Sequence, residues 1–115
     1  MRLTPEMCTF TIECTPEDAP VRGNAMASGD DALDKEVEDQ IIADLEWNEW
    51  AWCVVKVTCR YGRASGAQYL GGCSYKDESD FSSPDGYLPQ MKAEAYEECC
   101  FDVESIKQSL EGIET

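Results

Sequence analysis

The stretch EWAWCVVKVTCRYGRASGAQYLGGCSY, residues 49–75, decides the fold of this chain because it is typical of a β-hairpin. From 49 to 61 the residues alternate between two faces, which indicates a strand with one side buried. One face carries Ala51, Cys53, Val55, Val57, Cys59 and Tyr61, and the other carries Trp50, Trp52, Val54, Lys56, Thr58 and Arg60. GRASG, residues 62–66, predicts the hairpin turn, and AQYLGGCSY predicts the returning strand, where the glycine pair indicates a bulge.

Three further elements are predicted on either side of this hairpin. CTFTIEC, residues 8–14, alternates in the same way and predicts a third strand. A first helix is predicted after an N-cap at Ser28 or Asp30, and a long second helix from about Pro89. The buried stripe of the first helix is Leu33, Val37, Ile41 and Leu45; that of the second is Leu88, Met91, Ala95, Cys99, Val103, Ile106 and Leu110.

These elements predict an α+β fold in the order β-α-β-β-α. We expect a three-stranded sheet with an antiparallel hairpin and two helices packed on one face. An extra strand before the first helix is left open. The length of 115 residues fits a single domain, 1–115. No apolar run reaches the roughly 18 residues of a membrane span, and the N-terminus lacks the pattern of a secretory signal, so we expect a cytoplasmic protein.

The seven cysteines do not form a recognisable disulfide or metal pattern. Their number is odd, and two of them, Cys99 and Cys100, are adjacent. We therefore expect reduced, mostly buried thiols. A zinc site is the alternative, but the chain has no Cys-x-x-Cys pair and no histidine, so no metal site is predicted. The acidic segments 28–36 and 76–86 also do not follow a calcium-binding loop.

No catalytic residue or cofactor is predicted. Without histidine, neither a Ser-His-Asp nor a Cys-His arrangement can form. Glycine-rich phosphate-binding motifs are missing as well. An enzyme that acts through carboxylates or a thiol is the least favoured class, so the chain is expected not to be an enzyme.

The net charge of −15 points to the kind of partner. It disfavours direct contact with nucleic acid or anionic lipid, so a partner selected by charge should be basic. Between Asp30 and Glu49 there are nine acidic residues and one lysine, a local charge of −8. The alternative is that this acidity serves only solubility, or adaptation to salt.

Tryptophans follow this acidic helix directly. If the helices cover the cysteine face of the sheet, Trp50 and Trp52 lie on its open face and can contact a partner. The equal alternative is that they pack in the core, which is the favoured interpretation for Trp47. The candidate partner-binding residues are Asp31, Glu36, Asp39, Glu46, Glu49, Trp50 and Trp52.

Four segments resemble a group of uncharacterised small acidic proteins encoded by phages and mobile elements. They are VRGNAMASGDDALDKEVEDQII (21–42), WAW (50–52), YLGGCSY (69–75) and YLPQMKAEA (87–95), and the resemblance extends over roughly residues 8–98. It implies a context, that of a mobile element in a bacterial host cell, and small acidic proteins of that origin are commonly non-enzymatic inhibitors of anti-CRISPR or anti-restriction kind. In that context the acidic first helix would act as a decoy for a basic, nucleic-acid-binding host defence protein, with DNA mimicry as one way of binding it. The alternative is a protein–protein interaction or assembly module whose acidity only provides solubility.

Overall fold

The computed structural model describes residues 3–25 and 28–114, in which three strands form one antiparallel sheet. Their order is β1-β2-β3, so β2 is the central strand. The strands are β1 (Thr9–Pro16), β2 (Cys53–Tyr61) and β3 (Ala64–Cys73). The helices are α1 (Asp31–Leu45), α2 (Glu78–Phe81) and α3 (Leu88–Glu114), and short 3-10 turns cover Pro5–Met7 and Glu49–Ala51. The predicted α+β class with a three-stranded sheet is confirmed.

Burial along the strands follows the predicted alternation. In β1, Phe10, Ile12 and Cys14 are partly buried, whereas the threonines and the glutamate between them are exposed. In β2, four of the five predicted inward residues are fully buried, and these are Cys53, Val55, Val57 and Cys59. Tyr61 at the end of the strand is half-buried, and Thr58 on the opposite face is buried as well. A period of two residues identifies the faces of a strand because successive side chains point to opposite sides.

The turn between β2 and β3 is shorter than predicted. It consists of Gly62 and Arg63, and β3 begins at Ala64, so the predicted five-residue turn is wrong. Gly62 has a φ of +58°, a left-handed conformation that suits the first position of a two-residue hairpin turn. Gly66 instead lies inside β3, where a Cβ atom would stand 2.2 Å from the carbonyl oxygen of Ala95 in α3. Its missing side chain allows the helix backbone to approach the strand.

Helix α1 begins where the sequence places an N-cap. The carboxylate of Asp30 accepts hydrogen bonds from the backbone N–H groups of Ala32 and Leu33, both at 3.1 Å. These bonds satisfy donors that have no partner within the helix. Of the two predicted N-cap residues, Asp30 therefore has this role.

The predicted buried stripe of α1 is only partly correct. Val37 and Ile41 are half-buried, but Leu33 and Leu45 are exposed. The buried residue of this helix is Glu38, whose carboxylate accepts a 2.6 Å hydrogen bond from the backbone N–H of Gly23. The inward side of α1 thus makes polar contacts with the preceding loop, which a hydrophobic pattern does not reveal.

Helix α2 lies in the segment that the sequence predicts to be an acidic loop. The Asp77 carboxylate caps this single turn by accepting from the N–H of Asp80 at 2.8 Å. The turn carries Phe81, which is only 1% exposed and forms an edge contact with the Tyr75 ring at 5.1 Å between centroids. The predicted element order lacks this helix, and the packing of two helices on one face remains a prediction.

The contacts between residues divide the chain into two compact units. The expectation of a single domain remains a prediction. The α3 unit comprises the described residues of Met1–Glu13, Lys56–Tyr69 and Tyr87–Thr115; the α1 unit comprises those of Cys14–Val55 and Leu70–Gly86. The core of the α3 unit includes Cys59, Ala64, Ala95 and Cys99. Its helix α3 follows the predicted stripe as far as Ile106, whereas Leu110 is exposed. The buried residues of the α1 unit include Val21, Trp52, Cys53, Cys73 and Phe81.

Candidate interaction surface

The exposed side of α1 carries most of the predicted acidic site residues. Glu36, Asp39 and Glu46 are exposed, as are Asp31 in the first turn and Glu49 beyond the end of the helix. Residues three, four or seven positions apart lie on the same side of a helix. Glu36, Asp39 and Glu46 therefore share one solvent-facing side.

Arg22 neutralises part of this charge. Its guanidinium forms an ion pair with Asp39 and lies 3.5 Å from the Glu38 carboxylate. The hydrogen bond from Arg22 to Asp39 raises the pKa of the arginine. In the described part of the chain, no ion pair involves Glu36, Glu46 or Glu49. These three carboxylates, like that of Asp31 in the first turn, are therefore available to a basic partner.

Trp52 does not lie on an open face, which corrects its place among the candidate partner-binding residues. It is 4% exposed, and its indole N–H donates a 2.7 Å hydrogen bond to the carbonyl oxygen of Ala19. The loop that follows β1 covers the ring, and Val21 in the same loop is also buried. Strand parity could not show that a loop covers the ring.

Trp50 is also misplaced by the parity argument, because it does not belong to a strand. Residues Glu49–Ala51 form a 3-10 turn, which the side chain of Asn48 caps by accepting from the Trp50 N–H at 3.1 Å. The Trp50 ring is half-buried and packs against Phe81, with 5.9 Å between the ring centroids. Trp50 therefore has the structural role that was the alternative interpretation.

Trp47 is the tryptophan that the structure leaves exposed, with 74% of its surface accessible. The favoured interpretation of Trp47 as a core residue is therefore wrong. It lies just after α1 and lines a shallow groove together with Leu45, Glu46 and Glu49. The sequence did not reveal the exposure of Trp47, because this residue lies outside any segment with a periodic hydrophobic pattern. We refer to Glu36, Glu46, Trp47 and Glu49 as the α1 patch.

All seven cysteines are free thiols, and four of them are buried, as predicted. Burial raises the pKa of Cys53, Cys59, Cys73 and Cys99 above the ordinary value of 9.0, and it does so for the half-buried Cys14 as well. A thiol that stays protonated at neutral pH is a poor nucleophile. The geometry of these residues thus gives no support to thiol catalysis.

Three of the cysteines converge although no local motif joins them. The Sγ atoms of Cys8, Cys59 and Cys99 all lie within 4.8 Å of one another. Long stretches of chain separate the three residues, so a search for closely spaced ligand pairs could not detect the group. Only the pairing of β1 with β2 and the packing of α3 bring them together.

The comparisons with known proteins add no family to this description. Neither a protein-family model, nor a curated protein, nor a solved structure matches the chain. The resemblance to phage-encoded proteins therefore stays a prediction. Among the described residues, no helix has the length and apolar character needed to cross a bilayer.

Proposed function

We propose that this protein is a non-enzymatic acidic inhibitor that binds a basic, nucleic-acid-handling protein through the α1 patch. The observation that carries the proposal is the exposure of Trp47 beside the exposed carboxylates of Glu46 and Glu49, which form no ion pair with any described residue. The exposed Glu36 lies further along the same helix. In the context that the resemblance implies, the chain is encoded by a phage or mobile element. It acts in the cytoplasm of a bacterial host, as a decoy of anti-CRISPR or anti-restriction type.

The spacing of the carboxylates supports mimicry of nucleic acid. Duplex DNA carries one charge per roughly 1.7 Å of its axis, and Glu36 and Asp39, three positions apart on α1, lie about 5–6 Å from each other, with Glu46 about 10 Å further along the axis. A rigid helix such as α1 therefore offers a row of fixed negative charges to a groove that binds phosphates. Because the chain has a net charge of −15, its long-range field also speeds encounter with a basic surface.

Trp47 supplies the apolar part of the patch. Large aromatic residues contribute disproportionately to binding when a partner buries them. Trp47 takes this role from Trp52, which is buried within the protein itself. Glu46 and Glu49 lie on either side of Trp47 in the sequence, so charged residues would surround the buried ring at an interface.

The second candidate function is an assembly module whose acidity only provides solubility. Leu33, Ile42 and Leu45 on α1 are each about 40% exposed, at 42%, 41% and 39%. A partner that covers these side chains would bind α1 through apolar contacts. Such binding depends weakly on salt, whereas binding through the carboxylates weakens as salt rises.

Salt-dependent capture from a bacterial lysate, with a matched pair of variants, tests the proposal. Glu36→Lys/Glu46→Lys reverses two charges of the α1 patch. Glu94→Lys/Glu97→Lys makes the same charge change on exposed positions of α3 and is the control. The proposal expects capture of a nucleic-acid-binding protein at low salt, with release at high salt. It also expects the first variant, and not the control, to lose that protein.

The proposal is wrong if both variants lose the captured protein equally, since net charge alone would then account for binding. The proposal is also wrong if neither variant loses the captured protein and if salt has no effect on its binding. That result would support the assembly module.

A further inference from the structure

The group of three sulfurs in the α3 unit is unusual in its composition and burial. Cys59 in β2 and Cys99 in α3 are fully buried, and Cys8, just before β1, is half-buried. All three Sγ atoms lie within 4.8 Å of one another, and no carboxylate belongs to the group in the described part of the chain. The potential ligands are therefore soft sulfur atoms alone.

We propose that Cys8, Cys59 and Cys99 form a three-thiolate binding site for one soft, thiophilic metal ion of the Cu(I) or Zn(II) class. Thiolates select these ions over the harder ions that prefer oxygen. A Zn–S bond is about 2.3 Å long, so three sulfurs around one ion stand about 4 Å apart. The sulfurs thus need to move little or not at all to reach this geometry. This site is independent of the α1 patch and of the function proposed for it.

The number of ligands distinguishes the two ions. Cu(I) can be held by three sulfurs alone. Zn(II) prefers four ligands, and a water molecule would have to complete its shell from the side of Cys8, the only half-buried member of the group. Binding forms three metal–sulfur bonds and breaks three S–H bonds, and the three protons pass to the solvent.

The alternative is that these cysteines are only small packing residues. They belong to an apolar core with Phe10, Tyr61 and Tyr96, and buried thiols pack as small hydrophobes. Because this core is formed by the chain alone, we expect the metal-free protein to be folded. Metal would then add stability to a protein that is already folded.

Metal titration of the full chain, purified in the reduced state and handled without oxygen, tests the site. One arm uses Cu(I) in the presence of a competing chelator, and the other uses Zn(II), with Cd(II) as its spectroscopic substitute. We expect one equivalent of metal per chain, with a thiolate-to-cadmium absorption band. At a free metal concentration 100 times the Kd, the folding equilibrium constant should rise about 100-fold.

Cys100 provides a matched control for Cys8, because both are half-buried free thiols of the same unit. Cys8→Ser should lower the metal affinity at least about tenfold, whereas Cys100→Ser should leave it unchanged. If Cys8→Ser fails to fold by circular dichroism, Cys99→Ala replaces it. X-ray absorption spectroscopy of the metal-loaded protein counts the ligands: three sulfurs alone identify a three-coordinate site, and three sulfurs with one oxygen identify a site completed by water.

Three results would overturn the site. The first is wild-type protein that takes up no stoichiometric metal in either arm. The second is Cys8→Ser protein that binds metal as tightly as the wild type. The third is an equal loss of affinity in the Cys100→Ser control, which would mean that metal binds to thiols without regard to the group.

Discussion

At the scale of single residues, the three tryptophans have three different roles. Trp52 packs under a loop, Trp50 packs on Phe81, and Trp47 remains exposed. The sequence places all three within six positions, and neither composition nor parity distinguishes them. The difference depends on which side chains the loops cover, and this is set by contacts between residues far apart in the chain.

This assignment predicts opposite effects of two alanine substitutions. Trp52→Ala removes a buried ring and leaves the Ala19 carbonyl oxygen without its indole donor. It should lower the free energy of unfolding by about 3–5 kcal/mol. Trp47→Ala, at an exposed position, should change it by less than about 0.5 kcal/mol. Urea denaturation of both variants measures this, and an equal loss in the two would contradict the assignment.

Gly66 is a second residue whose role depends on contact with another element. A Cβ atom there would lie 2.2 Å from the Ala95 oxygen and 2.5 Å from the Cys99 nitrogen, both backbone atoms that cannot rotate away. Gly66→Ala should therefore lower the free energy of unfolding by about 1–3 kcal/mol or more. Gly86→Ala is the milder comparison, since a Cβ atom there would lie 3.3 Å from the Ser83 carbonyl oxygen, a tight contact that a shift of a few tenths of an ångström relieves. Urea denaturation that finds Gly66→Ala no less stable than Gly86→Ala would show that α3 is not packed this closely on β3.

At the scale of elements, the sequence predicts those with a regular pattern. β1, β2 and α3 alternate or repeat with a clear period, and their buried faces agree with the structure for most positions. α1 was predicted as a helix because it has a cap and a period, but its buried stripe was partly wrong. Glu38 replaces apolar contacts there by a hydrogen bond to the Gly23 N–H, and hydrophobic periodicity does not detect such a bond.

Two of the missed elements are short and carry an aromatic side chain that packs on another element. α2 has four residues, too few for a periodic signal, and it positions Phe81 in the core of the α1 unit. The 3-10 turn at Glu49–Ala51 interrupts what looked like the start of β2. The candidate site differs from the predicted one because tertiary contacts decide which aromatic residue is exposed. Its acidic residues on α1 are exposed as predicted, but its aromatic residue is Trp47.

At the scale of the whole molecule, the buried thiols predict how stability depends on pH. Burial raises the pKa of Cys53, Cys59 and Cys99 in the folded protein, whereas the unfolded chain ionises near the ordinary value of 9.0. Above about pH 9 the unfolded chain therefore binds fewer protons than the folded one, and the free energy of unfolding falls as pH rises. Below that pH this contribution to stability is fully present.

Urea denaturation between about pH 7 and pH 10 measures this dependence. The wild type should lose stability at the alkaline end, and Cys99→Ala should lose less, because one titrating thiol has been removed. Equal slopes in the two proteins would show that other groups, such as tyrosines and lysines, cause the loss.

The central claim is that the α1 patch takes the place of nucleic acid on a basic partner, and competition with duplex DNA tests it most directly. Once the partner is isolated, its binding to labelled duplex DNA is measured while this protein is added, at low and at high salt. We predict that the wild type and Glu94→Lys/Glu97→Lys displace the DNA at low salt. Glu36→Lys/Glu46→Lys should need at least about tenfold more protein, since attraction has become repulsion. If the partner binds this protein and duplex DNA at the same time without mutual loss of affinity, the claim is contradicted.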